Sequence, residues 1–94
     1  MKFEKSSILR EKAHRYIPGG CHTYAKGDDQ YPEMSPGFIV RGKGCHVWDA
    51  DDNEFIEYGM GLRSVTLGHA YDPVSEVAYR QMQLGHNFVR PSSI

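Results

Sequence analysis

Gly59-Met60-Gly61-Leu62-Arg63-Ser64-Val65-Thr66-Leu67-Gly68-His69-Ala70-Tyr71-Asp72-Pro73-Val74 is the stretch around which the chain is organised. It follows a strand-like segment at residues 54–58 and runs into a helix signal at Asp72-Pro73. It is apolar and glycine-punctuated where a plain connector is polar. Gly59, Gly61 and Gly68 permit positive φ and close approach of a second backbone segment or a ligand. Two readings stand at this point: an ordinary strand-to-helix loop whose glycines serve its turns, and a loop that builds a site.

Upstream lie three short predicted strands, at residues 38–41, 45–48 and 54–58, with Val40, Val47, Trp48, Phe55 and Ile56 as strand formers. Gly42-Lys43-Gly44 and Asp49-Ala50-Asp51-Asp52-Asn53 link them as hairpin turns, which predicts an antiparallel meander packed on one face by a helix. Downstream, a helix is expected over residues 73–84. Asp72 is its expected N-cap, Pro73 its first residue, Glu76 lies in its first turn and Gly85 ends it, with Val74, Val77, Ala78 and Met82 as a buried stripe. Residues 86–94 show neither period.

At the N-terminus a short helix is expected over residues 7–16, capped by Ser6 or Ser7, with Ile8, Leu9, Ala13 and Tyr16 at helical spacing. Ile17-Pro18-Gly19-Gly20 stops it. Residues 21–36 read as extended and irregular, with turn signals at Gly27-Asp28-Asp29 and Tyr31-Pro32. Their polar side chains, His22, Thr23, Tyr24 and Lys26, suit a pocket lining and equally a solvated loop. The segment as a whole is therefore α+β: a helix, a three-stranded antiparallel meander and a second helix.

The 94 residues, 39% hydrophobic and 24% charged, leave room for one small domain at most. A net charge of −1 with no basic stripe argues against nucleic acid or an anionic membrane as partner. No apolar run approaches the roughly 20 residues that span a bilayer, and no apolar leader follows the N-terminal charges, so a cytoplasmic location is the expectation. Cys21 and Cys45 are then best read as reduced thiols. Ten glycines and scattered apolar residues do not promise a self-sufficient core, and the chain reads as part of something larger.

Several constellations resemble sites and fail on chemistry. Asp49 to Glu54 alternates carboxylates as a calcium loop does, but Glu54 occupies the sixth position and Met60 the twelfth, where glycine and a bidentate glutamate are needed. Cys21-His22 and Cys45-His46 lack the spacing of zinc ligands, and adjacent strand residues point to opposite faces. There is no phosphate loop and no nucleophile elbow. His69 fits an acid–base group or, more commonly, a structural hydrogen bond.

The order of motifs carries a resemblance. Ile17-Pro18-Gly19-Gly20, Gly42-Lys43-Gly44, residues 47–58, Leu67-Gly68-His69-Ala70-Tyr71 and Pro73-Val74 resemble the N-terminal part of class III pyridoxal-phosphate-dependent aminotransferases. Within that family the likeness is greatest to the glutamate-1-semialdehyde 2,1-aminomutase group. The resemblance covers about residues 7–94 and implies an α/β enzyme of fold type I. Residues 1–94 would be its N-terminal segment, an incomplete domain without the large cofactor-binding domain.

It further implies an aminotransferase or aminomutase that uses pyridoxal 5'-phosphate, acts on a small amino or keto substrate and pairs as a homodimer. The cofactor lysine lies beyond Ile94 in the family pattern; Lys2, Lys5, Lys12, Lys26 and Lys43 do not match it, so no catalytic residue is assigned. Where the aminomutases hold the substrate carboxylate with a serine and an arginine, this chain has Thr23 and Lys26. Where they have Ser-Trp-Gly-Pro, it has Gly61-Leu62-Arg63-Ser64, losing an aromatic wall and gaining a cation. Thr23, Lys26, Leu62 and Arg63 are thus the expected substrate-binding residues, and the departures imply a substrate other than the semialdehyde. The rival reading is a non-catalytic truncated product or interaction module.

Overall fold

A computed structural model describes residues 1–91 and Ser93. The element order is α1 (Glu4–Tyr16), three single 3-10 turns (Pro18–Gly20, Tyr24–Lys26 and Asp28–Gln30), β1 (Ile39–Lys43), β2 (His46–Asp49), β3 (Glu54–Ile56) and α2 (Asp72–Leu84). The strands form one antiparallel sheet in the order β1-β2-β3. The expected helix–meander–helix order is present, but the expected packing of a helix on one face of the sheet is not: among the described residues neither helix lies broadly against it.

The sheet register follows from its turns. Lys43 pairs with His46 and Gly42 with Val47, and a bulge between Ile39 and Arg41 leaves Val40 out of step. The expected Gly42-Lys43-Gly44 linker is shorter than its sequence suggested: β1 runs through Lys43, and the chain reverses at Gly44, whose φ of 58° suits glycine. Arg41 lays its guanidinium 3.8 Å above the Trp48 ring, covering one side of the sheet.

The second hairpin is built by one buried carboxylate. Asp49, fully buried, accepts the backbone N–H groups of Asp51 (2.9 Å) and Asn53 (2.8 Å) and the Asn53 side-chain amide (2.9 Å). The turn so formed aims Asp51 at the start of α1, where its two oxygens accept the N–H groups of Lys5 (2.8 Å) and Ser6 (2.9 Å). Asn53 also donates to the Lys2 carbonyl at 2.6 Å. The expectation that Ser6 or Ser7 caps α1 is therefore corrected: the helix starts at Glu4, Phe3 holds the cap position without a side-chain bond, and the cap comes from Asp51, far along the chain. Ser6 is instead buried, and the Ser7 hydroxyl bonds back to the Phe3 carbonyl.

Burial pushes the Asp51 carboxyl up, but the amides of Ser6 and Lys5 and the Lys5 charge outweigh it and hold it below the ordinary aspartate value.

Residues 21–36 are more ordered than their sequence suggested. Tight turns at Tyr24–Lys26 and Asp28–Gln30 replace the expected extended path. Asp28 pins this segment to α1, accepting from Arg10 Nε at 2.5 Å and facing His14 Nε2 at 2.8 Å.

The expected buried stripe on α2 is overturned. Val74, Val77 and Met82 are all exposed, Val77 by 61%, and so is Ala78. The helix also begins one residue early, at Asp72, with Tyr71 at the cap position and Asp72 paired to Lys43 Nζ at 2.7 Å. Gly85 (φ 92°) ends it as expected. Val47 is the one buried apolar residue among those described.

The radius of gyration, 16.4 Å, exceeds the ~12 Å of an independently folded domain of this length. The accessible surface, 7915 Å², likewise exceeds the roughly 5,500 Å² of a monomeric protein of this mass. The amphipathic pattern of α2 is real, but nothing within the described residues covers it. The reading of residues 86–94 as irregular holds over 86–91 and at Ser93; Ser92 and Ile94 lie outside the described residues.

Replacing Asp49 by alanine strips three donors of their acceptor, at a cost of about 1–3 kcal/mol for each left unpaired in the interior. Hydrogen exchange is expected to quicken at the Asp51 and Asn53 amides and also at Lys5 and Ser6, because the cap moves with the turn. Protection retained at Lys5 and Ser6 in Asp49→Ala would show that Asp51 caps α1 without help from Asp49.

Candidate functional site

The stretch from Glu57 to Asp72 is a tightly braced loop. Gly44 and His69 exchange both backbone hydrogen bonds, N–H of Gly44 to O of His69 at 2.9 Å and N–H of His69 to O of Gly44 at 2.8 Å, so the loop returns to the first hairpin. The approach is close enough to need glycine. A Cβ at Gly42 would meet the His69 ring at 2.8 Å, and one at Gly68 (φ 91°) would stand 3.0 Å from the Gly44 backbone. Lys43 Nζ donates to the Ala70 carbonyl at 2.7 Å, adding a third tie.

Inside the loop the backbone is left-handed at four successive residues: Met60 (φ 41°), Gly61 (60°), Leu62 (59°) and Arg63 (74°). Each non-glycine residue in that region costs about 1–2 kcal/mol. Such conformations persist when their surroundings hold them, and they cluster where a protein shapes a site. Here the bonds from Arg63 N–H to Gly59 O (3.0 Å) and from Val65 N–H to Met60 O (3.1 Å) close the loop on itself. The Ser64 hydroxyl adds a bond to Gly61 O at 2.7 Å.

Below the loop, Glu57 accepts the Gly61 N–H at 3.2 Å and pairs with His69 Nε2. Burial pushes the Glu57 carboxyl up, but the His69 bond, the Gly61 amide and the charges of His69 and Lys26 prevail and hold it below the ordinary glutamate value. Lys26 therefore acts on the carboxylate that carries the loop. In the sequence, residue 57 reads as one polar position of a strand. A glutamate at the strand end with a histidine after the last loop glycine was the available signal.

The four expected substrate-binding residues fall on two elements. Thr23 and Lys26 share one 3-10 turn, with Lys26 N–H bonded to the Thr23 carbonyl at 2.9 Å. Thr23 lines a shallow depression of about 390 Å³ together with His14, His22, Tyr24 and Asp28. Lys26 lines a neighbouring one of about 230 Å³ with Arg10, Tyr31 and Glu33. Leu62 and Arg63 are exposed in the left-handed loop and border neither depression. Within this chain the four do not converge on one concavity.

Among the described residues no cluster of three metal-ligating side chains occurs, and no helix is long and apolar enough to cross a membrane. Cys21 and Cys45 are free thiols, as expected.

No family model matches the chain. Individual proteins do. A glutamate-1-semialdehyde 2,1-aminomutase of Sulfurihydrogenibium sp. is 35% identical over 94 residues, and one of Persephonella marina is 36% identical, each match covering the whole chain and 22% of the relative. Among solved structures, the FumI protein of Sphingopyxis sp. MTA144, with pyridoxal phosphate, superposes with a TM-score of 0.85 at 32% identity, over 95% of this chain and 21% of that one. An omega-transaminase from Sphaerobacter thermophilus gives 0.79 at 29% identity, over 93% and 19%.

The chain matches the N-terminal part of pyridoxal-phosphate aminotransferases. It spans about a fifth of the length of these relatives. The structures of these transaminases bear out the fold that the sequence resemblance implied.

Two outcomes follow for the braces. Gly68→Ala must strain the backbone by about 1–2 kcal/mol and push against Gly44, so the Gly44 and His69 amides should lose exchange protection while Trp48 keeps it. Asp28, held below the ordinary value by His14 and, against the opposing effect of burial, by Arg10, stabilises the α1 contact above the usual aspartate range; that stabilisation disappears as pH falls through its lowered value. A proton NMR titration of His14 tests this: an acid-range movement of its ring resonances that vanishes in Asp28→Asn is the expected result.

Proposed function

We propose that this chain is the N-terminal segment of a pyridoxal-phosphate-dependent aminotransferase or aminomutase, an incomplete domain that orients substrate and contributes to a homodimer interface. The observation that carries the reading is a similarity to aminomutases that spans the whole chain, at 35 and 36% identity. The open surface supports it: the exposed apolar faces of α2 and of β1, with Val77, Met82 and Val40, fit burial against the rest of such an enzyme and its second copy. A cytoplasmic site of action belongs to the same proposal.

The bound cofactor supplies an electron sink for chemistry at the substrate's amino-bearing carbon. None of the five lysines matches the family position, and no cofactor-binding residue is assigned in this chain. Their part is to bind and orient. Arg63 and Lys26 supply positive charge for an anionic group of an amino or keto substrate, Thr23 a hydroxyl, and Leu62 apolar contact. Arginine's fork suits a carboxylate, whereas Lys26 acts as a point charge. The change from the aminomutase loop to Gly61-Leu62-Arg63-Ser64 favours a substrate other than glutamate-1-semialdehyde.

Incubation with pyridoxal phosphate, borohydride reduction and mapping of any modified lysine tests the assignment. The 94-residue chain alone should trap no lysine stoichiometrically, and a longer product of the same gene should trap one beyond residue 94. Stoichiometric labelling of Lys26 in the short chain would overturn the placement. In the longer product, Arg63→Ala should raise KM for the anionic substrate roughly ten- to hundredfold, the loss of a charged hydrogen bond of about 1.5–3 kcal/mol. An unchanged KM and kcat would remove Arg63 from the site.

A further inference from the structure

Glu57 is the point at which the left-handed loop is attached to the sheet. Its backbone N–H continues the β3 pairing by donating to the Cys45 carbonyl at 2.9 Å. Its carboxylate then serves both ends of the loop, taking the Gly61 N–H on Oε1 and the His69 ring on Oε2. His69 is itself fixed by its double bond to Gly44 and by the packing of its ring where a Gly42 side chain would stand. The remaining hydrogen bonds described for residues 60–64 run within the loop. They close its turns without tying it to anything else.

We propose that Glu57 is a positioning residue: its carboxylate, shared between the Gly61 amide and the His69 ring, holds residues 60–63 in the left-handed form from which Arg63 meets a carboxylate-bearing ligand. The ligand clause rests on the function proposed above; the mechanical clause does not. The charged groups that act on Glu57 are His69, in contact with it on the returning end of the loop, and, more weakly, Lys26 on the turn before the sheet. Both favour the ionised carboxylate, and the ionised form is the one that accepts from two sides. Protonating Glu57 removes one acceptor, and a strained run without its acceptor relaxes toward ordinary φ. Loop geometry and the ionisation of one residue are thereby linked, with the ordered form above the Glu57 transition and the relaxed form below it.

Hydrogen exchange and NMR of the 15N-labelled longer product of the same gene test the mechanical clause. Glu57→Ala should speed exchange at Gly61, Arg63 and Val65 tenfold or more and leave Val47 and Trp48 unchanged. Glu57→Gln, which keeps an acceptor for Gly61 without charge for His69, should fall between. Unchanged exchange at Gly61 and Arg63 in both variants overturns the proposal. Should the variants lose the sheet as well, the unsubstituted chain decides: on acidification the Gly61 and Arg63 amides should move together, with one midpoint below the ordinary glutamate range. Independent movement overturns it.

Succinate, added as a dicarboxylate probe, should perturb the Arg63 side-chain resonances and do so less in Glu57→Gln. If succinate leaves Arg63 unmoved while the exchange results hold, the positioning by Glu57 stands and the ligand role of Arg63 falls.

Discussion

The Asp49 carboxylate is the constraint on which the rest depends. Asp49 is fully buried, and three donors of the second hairpin converge on its two carboxylate oxygens. The turn they define is what brings Asp51 to the first amides of α1. A helix of 13 residues is marginal by itself. This one is anchored by a hydrogen-bonded tether to the sheet where a larger protein would use apolar burial. The same economy appears at the other hairpin, where Gly44 and His69 join through two backbone bonds and Lys43 reaches Ala70 and Asp72. Polar ties set the relative positions of the elements, and apolar faces are left open.

That division explains how so little core goes with so definite a path. Val47 alone is buried among the described apolar residues, and the surface is larger than a domain of this mass presents. A face such as that of α2 gains its free energy only when something covers it. The similarity of the chain to roughly one-fifth of much longer transaminases is in keeping with this.

Much of the local structure was legible in the residues. Pro73 and Gly85 bracket α2, Pro18 with its glycines ends α1, and the alternation around Val47 and Trp48 marks a strand, because these signals act over a few residues. What could not be read were effects that join distant positions. Ser6 and Ser7 looked like caps by local rules, yet Asp51 outcompetes them from the hairpin. The α2 stripe was correctly seen as amphipathic, but pattern does not say whether a partner lies within the same chain. The glycines of the 59–68 loop were noted for their freedom; that Met60, Leu62 and Arg63 would share the left-handed region is contrary to their propensity and emerges only from the bracing by Glu57 and His69. Thr23, Lys26, Leu62 and Arg63 are marked only by likeness to a family, and the chain by itself leaves them on two separate elements.

The distant capping of α1 has a consequence for the order of events during synthesis. Lys5 and Ser6 precede their acceptor by 46 and 45 residues. At translation rates of roughly 5–20 residues per second, Lys5 and Ser6 are joined to the chain some 2–9 seconds before Asp51. Over that interval the first amides of α1 lack the acceptor that caps them in the folded chain. The N-terminal helix is thus made first and secured only once the hairpin at Asp49 to Asn53 exists.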